Sequence, residues 1–180
     1  PAEEQIRESL RRFIVDWRQL IGADPHELSL VERTDEPSGI KVARYEQKPF
    51  RYPLRGGFGN LVIRFRSDRR VVSLSSNCIP HAERTQAVLA GLTPRITAEQ
   101  AVDQIKKQPV VTSDVDGRQQ TFNIPSSAAL AARQLVVYAQ RTTSQTSGLQ
   151  LHLAWEIEVT DGPIKMVYLD AISNQVIAVA

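Results

Sequence analysis

Three histidines, one cysteine and a scatter of carboxylates are the side chains with which this sequence could do metal or covalent chemistry. His26, His81 and His152 lie far apart, and none has a second histidine roughly three to five residues away, the spacing that puts two imidazoles on one zinc ion. No His-Glu-x-x-His string occurs. On its alternating segment His152 falls on the polar side and is expected to be solvated. Cys78 has no partner for a disulfide or a thiolate cluster. Between Asn77 and Ile79, at the end of an apparent strand, it reads as a small buried filler, because catalytic use needs an activating base beside it. Asp114-Val115-Asp116-Gly117 opens like a calcium loop, but Gln119-Gln120-Thr121-Phe122 brings neither the further oxygen ligands nor a closing glutamate, so a hairpin turn is expected. Gly56-Gly57-Phe58-Gly59 lacks the lysine and hydroxyl of a phosphate loop and leads into a strand, not a helix N-terminus. There is no G-x-S-x-G elbow. The expectation is a protein that is not an enzyme, with no catalytic residue, cofactor or metal.

One cluster points elsewhere. Arg51, Arg55, Arg64, Arg66, Arg69 and Arg70 interleave with Tyr52, Phe58 and Phe65, which suggests a single-stranded nucleic-acid platform. Alternation, however, puts Phe65 on the face opposite Arg64 and Arg66, whereas a platform needs rings and charges together. The arginines then read as a solvated face or as contacts for an acidic protein partner, and nucleic acid is not expected.

The composition agrees with that restraint. Lys and Arg number 22 against 20 Asp and Glu, a formal charge of +2, too little for a global field that draws in nucleic acid or anionic membrane. An apolar fraction of 42% with 23% charged residues is that of a globular chain, and 180 residues allow one core or two small subdomains. No run approaches the ~20 apolar residues of a membrane helix. The chain opens at Pro1 as though a leader had been removed.

The elements that would carry these residues begin with an amphipathic helix over residues 2–21. Its stripe is Ile6, Leu10, Phe13, Ile14, Trp17, Leu20 and Ile21, and Gly22 ends it. LSLVERT and IKVARYEQ follow as strands, the second giving Ile40, Val42 and Tyr45 to the core. A Pro- and Gly-rich crossing, Phe50 to Gly59, precedes a hairpin that divides at Ser67-Asp68, with Leu61, Ile63 and Phe65 inward. A short helix is expected within 81–92. Thr97 and Gln100 then form a capping box for a helix burying Ala101, Val102 and Ile105. RQLVVYAQ reads as a strand, with a polar turn from Arg141 to Gly148. The chain closes on a meander: LHLAWEIEV, a reversal at Asp161-Gly162-Pro163, IKMVYLDA, a reversal at Ser173-Asn174, and QVIAVA. Leu151, Leu153, Trp155, Ile157 and Val159 take one face, and His152, Glu156 and Glu158 the other. Asp170 reads as a hairpin residue bonding the turn backbone. Helices followed by strands in both halves predict an α+β fold with helices packed on antiparallel sheets, in two sequential helix-plus-sheet subdomains.

Two stretches resemble known families. ARYEQ, followed by GGFGNLVIRFRSDRRVVSLS and preceded by an amphipathic helix, resembles the fungalysin/thermolysin propeptide (FTP) motif. From Ile96, the ITAEQAVDQIKK helix, the LAWEIEV strand and VYLDAISNQVI resemble a PepSY domain. The departures are KPFRYPLRGG in place of a Gly-Val-Pro-Val crossing, Asp68-Arg69-Arg70 where Asp-Gly is common, and Ser173-Asn174 in place of Thr-Gly. Asparagine carries such a turn readily; arginine does so less easily, which implies another turn type or a longer loop.

The resemblance implies an FTP-like subdomain over 1–93 and a PepSY-like subdomain over 94–180. It implies a non-catalytic prodomain, acting as chaperone and inhibitor of a secreted thermolysin-like zinc metallopeptidase. The partner would be that metallopeptidase domain, in cis beyond Ala180 or in trans. The alternative is a stand-alone exported PepSY-type module that binds another envelope protein. Either implies export, to the periplasm, cell surface or medium. An exposed sheet face bearing Arg64, Arg66, Glu156 and Glu158 is the candidate partner interface.

Overall fold

The computed structural model describes residues 2–113, 118–142 and 148–180. The turn expected at Asp114-Val115-Asp116-Gly117 and most of the polar turn before Gly148 lie outside the described residues. The fold is α+β, and its contacts divide the chain into two units, Pro1–Arg51 with Gly57–Ala87, and Tyr52–Gly56 with Val88–Ala180. The division thus falls after Ala87, where the sequence suggested 93/94, and a short piece of the crossing belongs to the second unit.

In the first unit α1 (Ala2–Asp16) and α2 (Arg18–Ile21) precede a four-stranded antiparallel sheet in the order β1-β2-β4-β5. Its strands are β1 (Leu28–Asp35), β2 (Lys41–Gln47), β4 (Asn60–Phe65) and β5 (Val71–Ser76). Leu10, Ile14 and Ile21 pack on Ala43, Leu61, Ile63 and Phe65, so the alternation in β4 places its apolar residues where expected. The helix departs from expectation at Trp17. There the backbone leaves helical geometry (φ −106°, ψ 14°) and resumes as α2, which rotates the later residues out of phase. Ile21 still reaches the core, but Trp17 is 50% and Leu20 66% exposed, and Trp17 instead stacks on Phe13 at 6.0 Å. Gly22 ends the helix in the left-handed region (φ 80°), its amide bonded to Arg18. From β2, Ala43 and Tyr45 meet this core. Val42 is buried but lies outside it, and Ile40 is half-buried, because alternation sends both to the opposite side. Cys78 is half-buried against the same core, and burial pushes its thiol up.

The β4–β5 hairpin turns where Ser67-Asp68 suggested. The Arg69 amide donates to the Arg66 carbonyl at 2.8 Å, and Arg69 itself takes the left-handed φ of 72° that glycine usually supplies.

The second unit contains α4 (Ala98–Lys107), the hairpin β6 (Val110–Ser113) with β7 (Gln119–Phe122), and a five-stranded sheet in the order β11-β10-β9-β8-β3. Its strands are β3 (Leu54–Arg55), β8 (Leu130–Thr142), β9 (Gly148–Val159), β10 (Met166–Asp170) and β11 (Val176–Val179). The expected meander is β9-β10-β11. The crossing holds an unforeseen strand: β3 pairs parallel with β8, Leu54 opposite Val137 and Arg55 opposite Tyr138. The capping box forms, with Thr97 Oγ1 accepting from the Gln100 amide and Gln100 Oε1 accepting from the Thr97 amide. It starts α4 so that Ala101 and Ile105 bury against Ile157, Val159, Val167 and Leu169. Trp155 Nε1 donates to the Ile96 carbonyl at 3.0 Å, so the ring's polar tip is satisfied beside that core. The remaining helix, α3 (Ala82–Ala90), follows β5 within the expected 81–92 window.

Candidate functional site

The polar chemistry of the second unit gathers on the sheet face opposite α4. A one-residue irregularity puts it there. Ala132 faces Ile157, but Gln134 faces Glu156, so Arg133 is an extra residue in β8. Such a bulge reverses the in-out parity. Before it, Leu130 and Ala132 join the α4 core; after it, Leu135 and Val137 oppose Trp155 and Leu153, which frees Gln134, Val136 and Tyr138 for the other face.

That face was expected to be exposed around His152, Glu156 and Glu158; Glu156 is buried, while His152 and Glu158 are half-buried. Tyr138 stands opposite His152 and Tyr168 opposite Glu156, on the two strands that flank β9. Between them lies Ala154, small enough for the two rings to approach to 4.6 Å, and Ala154 and Val136 are fully buried with them. Burial raises the phenols of both tyrosines, and the Glu156 charge adds to this at Tyr168.

Glu156 is 6% exposed and is held from two sides. Arg55 Nε donates to one carboxylate oxygen at 2.6 Å and Arg55 Nη2 to the other at 3.4 Å, while Gln134 Nε2 donates at 3.1 Å. The hydrogen bond to Glu156 raises the already high pKa of Arg55. A buried carboxylate is tolerable because this bidentate cation and the amide replace its water. The residue that satisfies it comes from β3, some hundred positions earlier in the chain, so sequence spacing could not reveal the pair.

His152 is half-buried, and neither ring nitrogen faces solvent freely. Its Nδ1 lies 2.7 Å from Asp170 Oδ2, and Asp170 Oδ1 accepts from the amides of Ile172 and Ser173 at 2.8 Å each. Burial pushes the Asp170 carboxyl up, but the His152 hydrogen bond, the two amides and the His152 charge outweigh it and hold the group down at about 2. An ionised carboxylate only accepts, so His152 Nδ1 is the donor of this pair. Nε2 is occluded and without a partner. The pair therefore has the orienting half of a catalytic dyad, but its working nitrogen is closed to any substrate. Asp170 does what its sequence position suggested, bonding the turn in which Asn174 takes φ 61°.

The four candidate interface residues are dispersed. Arg64 and Arg66 stand on the first unit, Arg64 paired with Glu36 at 3.2 Å and Arg66 exposed. Glu156 and Glu158 share one face of β9 in the second unit, where Glu158 pairs with Arg133 and Glu156 is too buried to meet a partner without losing Arg55. The arginine cluster divides in the same way, since Arg55 belongs to the second unit while Phe65 is buried in the first.

The fold is α+β, with helices packed on one face of the four-stranded and of the five-stranded sheet, and charges of both sheets meet in pairs such as Arg64 with Glu36, Arg55 with Glu156 and Arg133 with Glu158. Comparison of the sequence with known protein families and with curated proteins gives no match. Among the described residues no helix is long and apolar enough to cross a membrane, and no group of histidine, cysteine and carboxylate side chains converges as a metal would need.

Proposed function

We propose that this chain is an exported, non-catalytic, prodomain-like module that assists the folding of a thermolysin-like metallopeptidase domain and inhibits it. The observation that supports the reading is the second unit's organisation. A capped helix lies on one face of a meander that runs through the PepSY-like strings LAWEIEV and VYLDAISNQVI, and the ionisable groups on the other face are bound to each other. Such a sheet is a rigid surface, suited to binding, not turnover. A rigid module that binds the native-like form of an enzyme better than its unfolded chain shifts folding by mass action, and the same complex blocks the enzyme once folded.

The test is refolding of denatured thermolysin-like peptidases, with and without a molar equivalent of the chain, followed by titration of the chain into the folded enzymes. The expected result is a higher recovered activity and a saturable inhibition. If neither recovery nor activity changes across a panel of such peptidases, the reading fails. A stable complex with a different envelope protein would then replace it.

A further inference from the structure

Strand β8 runs from Leu130 to Thr142, but β3 covers its outer edge only at Val137 and Tyr138, and among the described residues no other strand pairs with that side. Both ends of β3 are stopped by its own sequence. The Val137 amide donates to the Pro53 carbonyl at 2.9 Å, and the next bond of a parallel ladder would run from the amide of residue 53 to the Leu135 carbonyl, which a proline cannot make. At the other end Gly56 (φ 95°) passes so close to Ala139 that a Cβ there would lie 2.0 Å from the carbonyl oxygen.

What holds so short a strand is a seat for one side chain. Glu156 is 6% exposed, and its oxygens take Arg55 Nε at 2.6 Å, Arg55 Nη2 at 3.4 Å and Gln134 Nε2 at 3.1 Å. The Tyr168 hydroxyl lies beside the guanidinium. Other charges on this face are already matched, Arg133 with Glu158 and His152 with Asp170, so the cation that the buried Glu156 requires is the one β3 brings along the β8 edge. The Arg55 side chain stays 35% exposed, which leaves the seat open from outside.

We propose that the β8 edge is a strand-binding site for an extended segment of another protein with the pattern apolar-Arg-Gly, and that β3 is its occupant in cis, displaced when such a segment arrives. The three positions are fixed by what they meet. The apolar residue stands opposite Val137, the arginine enters the Glu156 seat, and the glycine passes the Ala139 carbonyl. A segment without proline before the apolar residue gains the Leu135 bond and can continue the ladder toward Leu130, pairing that β3 forgoes. That gain lets it compete with a strand already in place. Until then β3 covers part of an edge that would otherwise be free to pair with any strand.

The test is NMR titration of the intact chain with a peptide of residues 50–58 carrying Pro53→Val. Saturable shifts are expected at the Leu135 and Val137 amides, while hydrogen exchange at the chain's own Arg55 amide accelerates as β3 leaves. The peptide with Pro53 retained should bind about fivefold more weakly, the loss of one backbone bond. A Pro53→Val peptide with citrulline in place of Arg55 should bind at least about tenfold more weakly, the loss of the charge-assisted pair. In the Gly56→Ala chain, whose own β3 is misfitted, the Pro53→Val peptide should bind at least about tenfold more tightly than in the parent, because less of the binding is spent on displacement. Absence of saturable shifts in the parent chain, equal binding of the citrulline peptide, or binding that leaves the Arg55 amide protected overturns the proposal. Dimerisation of the chain alone that the peptide reverses would seat a second copy on the edge, and would overturn the assignment to another protein.

Discussion

Asp170 carries the clearest quantitative consequence of the fold. Its carboxylate joins three chain segments: one oxygen receives two amides of the β10–β11 turn and the other receives His152 of β9. With the folded value near 2 against an ordinary 3.8, the native state binds this proton more weakly than the unfolded chain. The stabilisation is therefore fully present above about pH 4 and is lost as pH falls toward 2, and it amounts to about 2 kcal/mol at neutral pH. Asp170→Ala removes the acceptor from two amides and one imidazole, and should cost about 3 kcal/mol because groups this buried are poorly rehydrated. Asp170→Asn keeps an acceptor for the amides and should cost about 1 kcal/mol, while flattening the acid limb of the stability curve. Urea unfolding of the three proteins between pH 7 and pH 2 measures both effects. An Asp170→Asn protein whose stability declines with acid as steeply as the parent's would show that the acid sensitivity resides elsewhere. An Asp170→Ala protein of unchanged stability that loses a binding partner would show that the residue serves recognition and not the turn.

Three further outcomes follow from particular contacts. A Cβ at Gly56 would lie 2.0 Å from the Ala139 carbonyl oxygen at φ 95°, so Gly56→Ala should displace β3 at a cost of about 2–4 kcal/mol. Amide exchange at Val137, whose N–H now bonds the Pro53 carbonyl, should accelerate, and unchanged protection there would refute the pairing. Glu156→Leu should cost about 2 kcal/mol by stranding Arg55, and the double variant with Arg55→Leu should recover most of it in a thermal melt; no recovery would mean the pair is not the source of the loss. Thr97→Ala should lower stability by about 1 kcal/mol through the α4 cap, and urea titration showing less than a few tenths would place the start of α4 under tertiary control.

What the sequence determined was local. The alternation of Leu61, Ile63 and Phe65, the Thr97–Gln100 box, the Gly22 stop, the Asn174 turn and the turn-bonding role of Asp170 all depend on residues within a few positions of one another. Short-range backbone chemistry is enough to read these, and with them the α+β class.

Tertiary structure decided which faces are wet and which charges meet. The bulge at Arg133 reversed the parity of β8 and set Gln134 opposite Glu156, and the break at Trp17 turned Leu20 out of the stripe that periodicity had assigned it. Strand neighbours are chosen by the burial of whole faces, so Arg55 could be paired with Glu156 only once β3 had joined the far edge of the sheet. Ala154 looks unremarkable in sequence, yet its small side chain lets Tyr138 and Tyr168 close over the centre of β9. His152 met Asp170 for the same reason: their strands pair, and alternation within each strand put both residues on one face. A one-dimensional pattern gives the period of each strand, but only the register between strands decides which side chains touch.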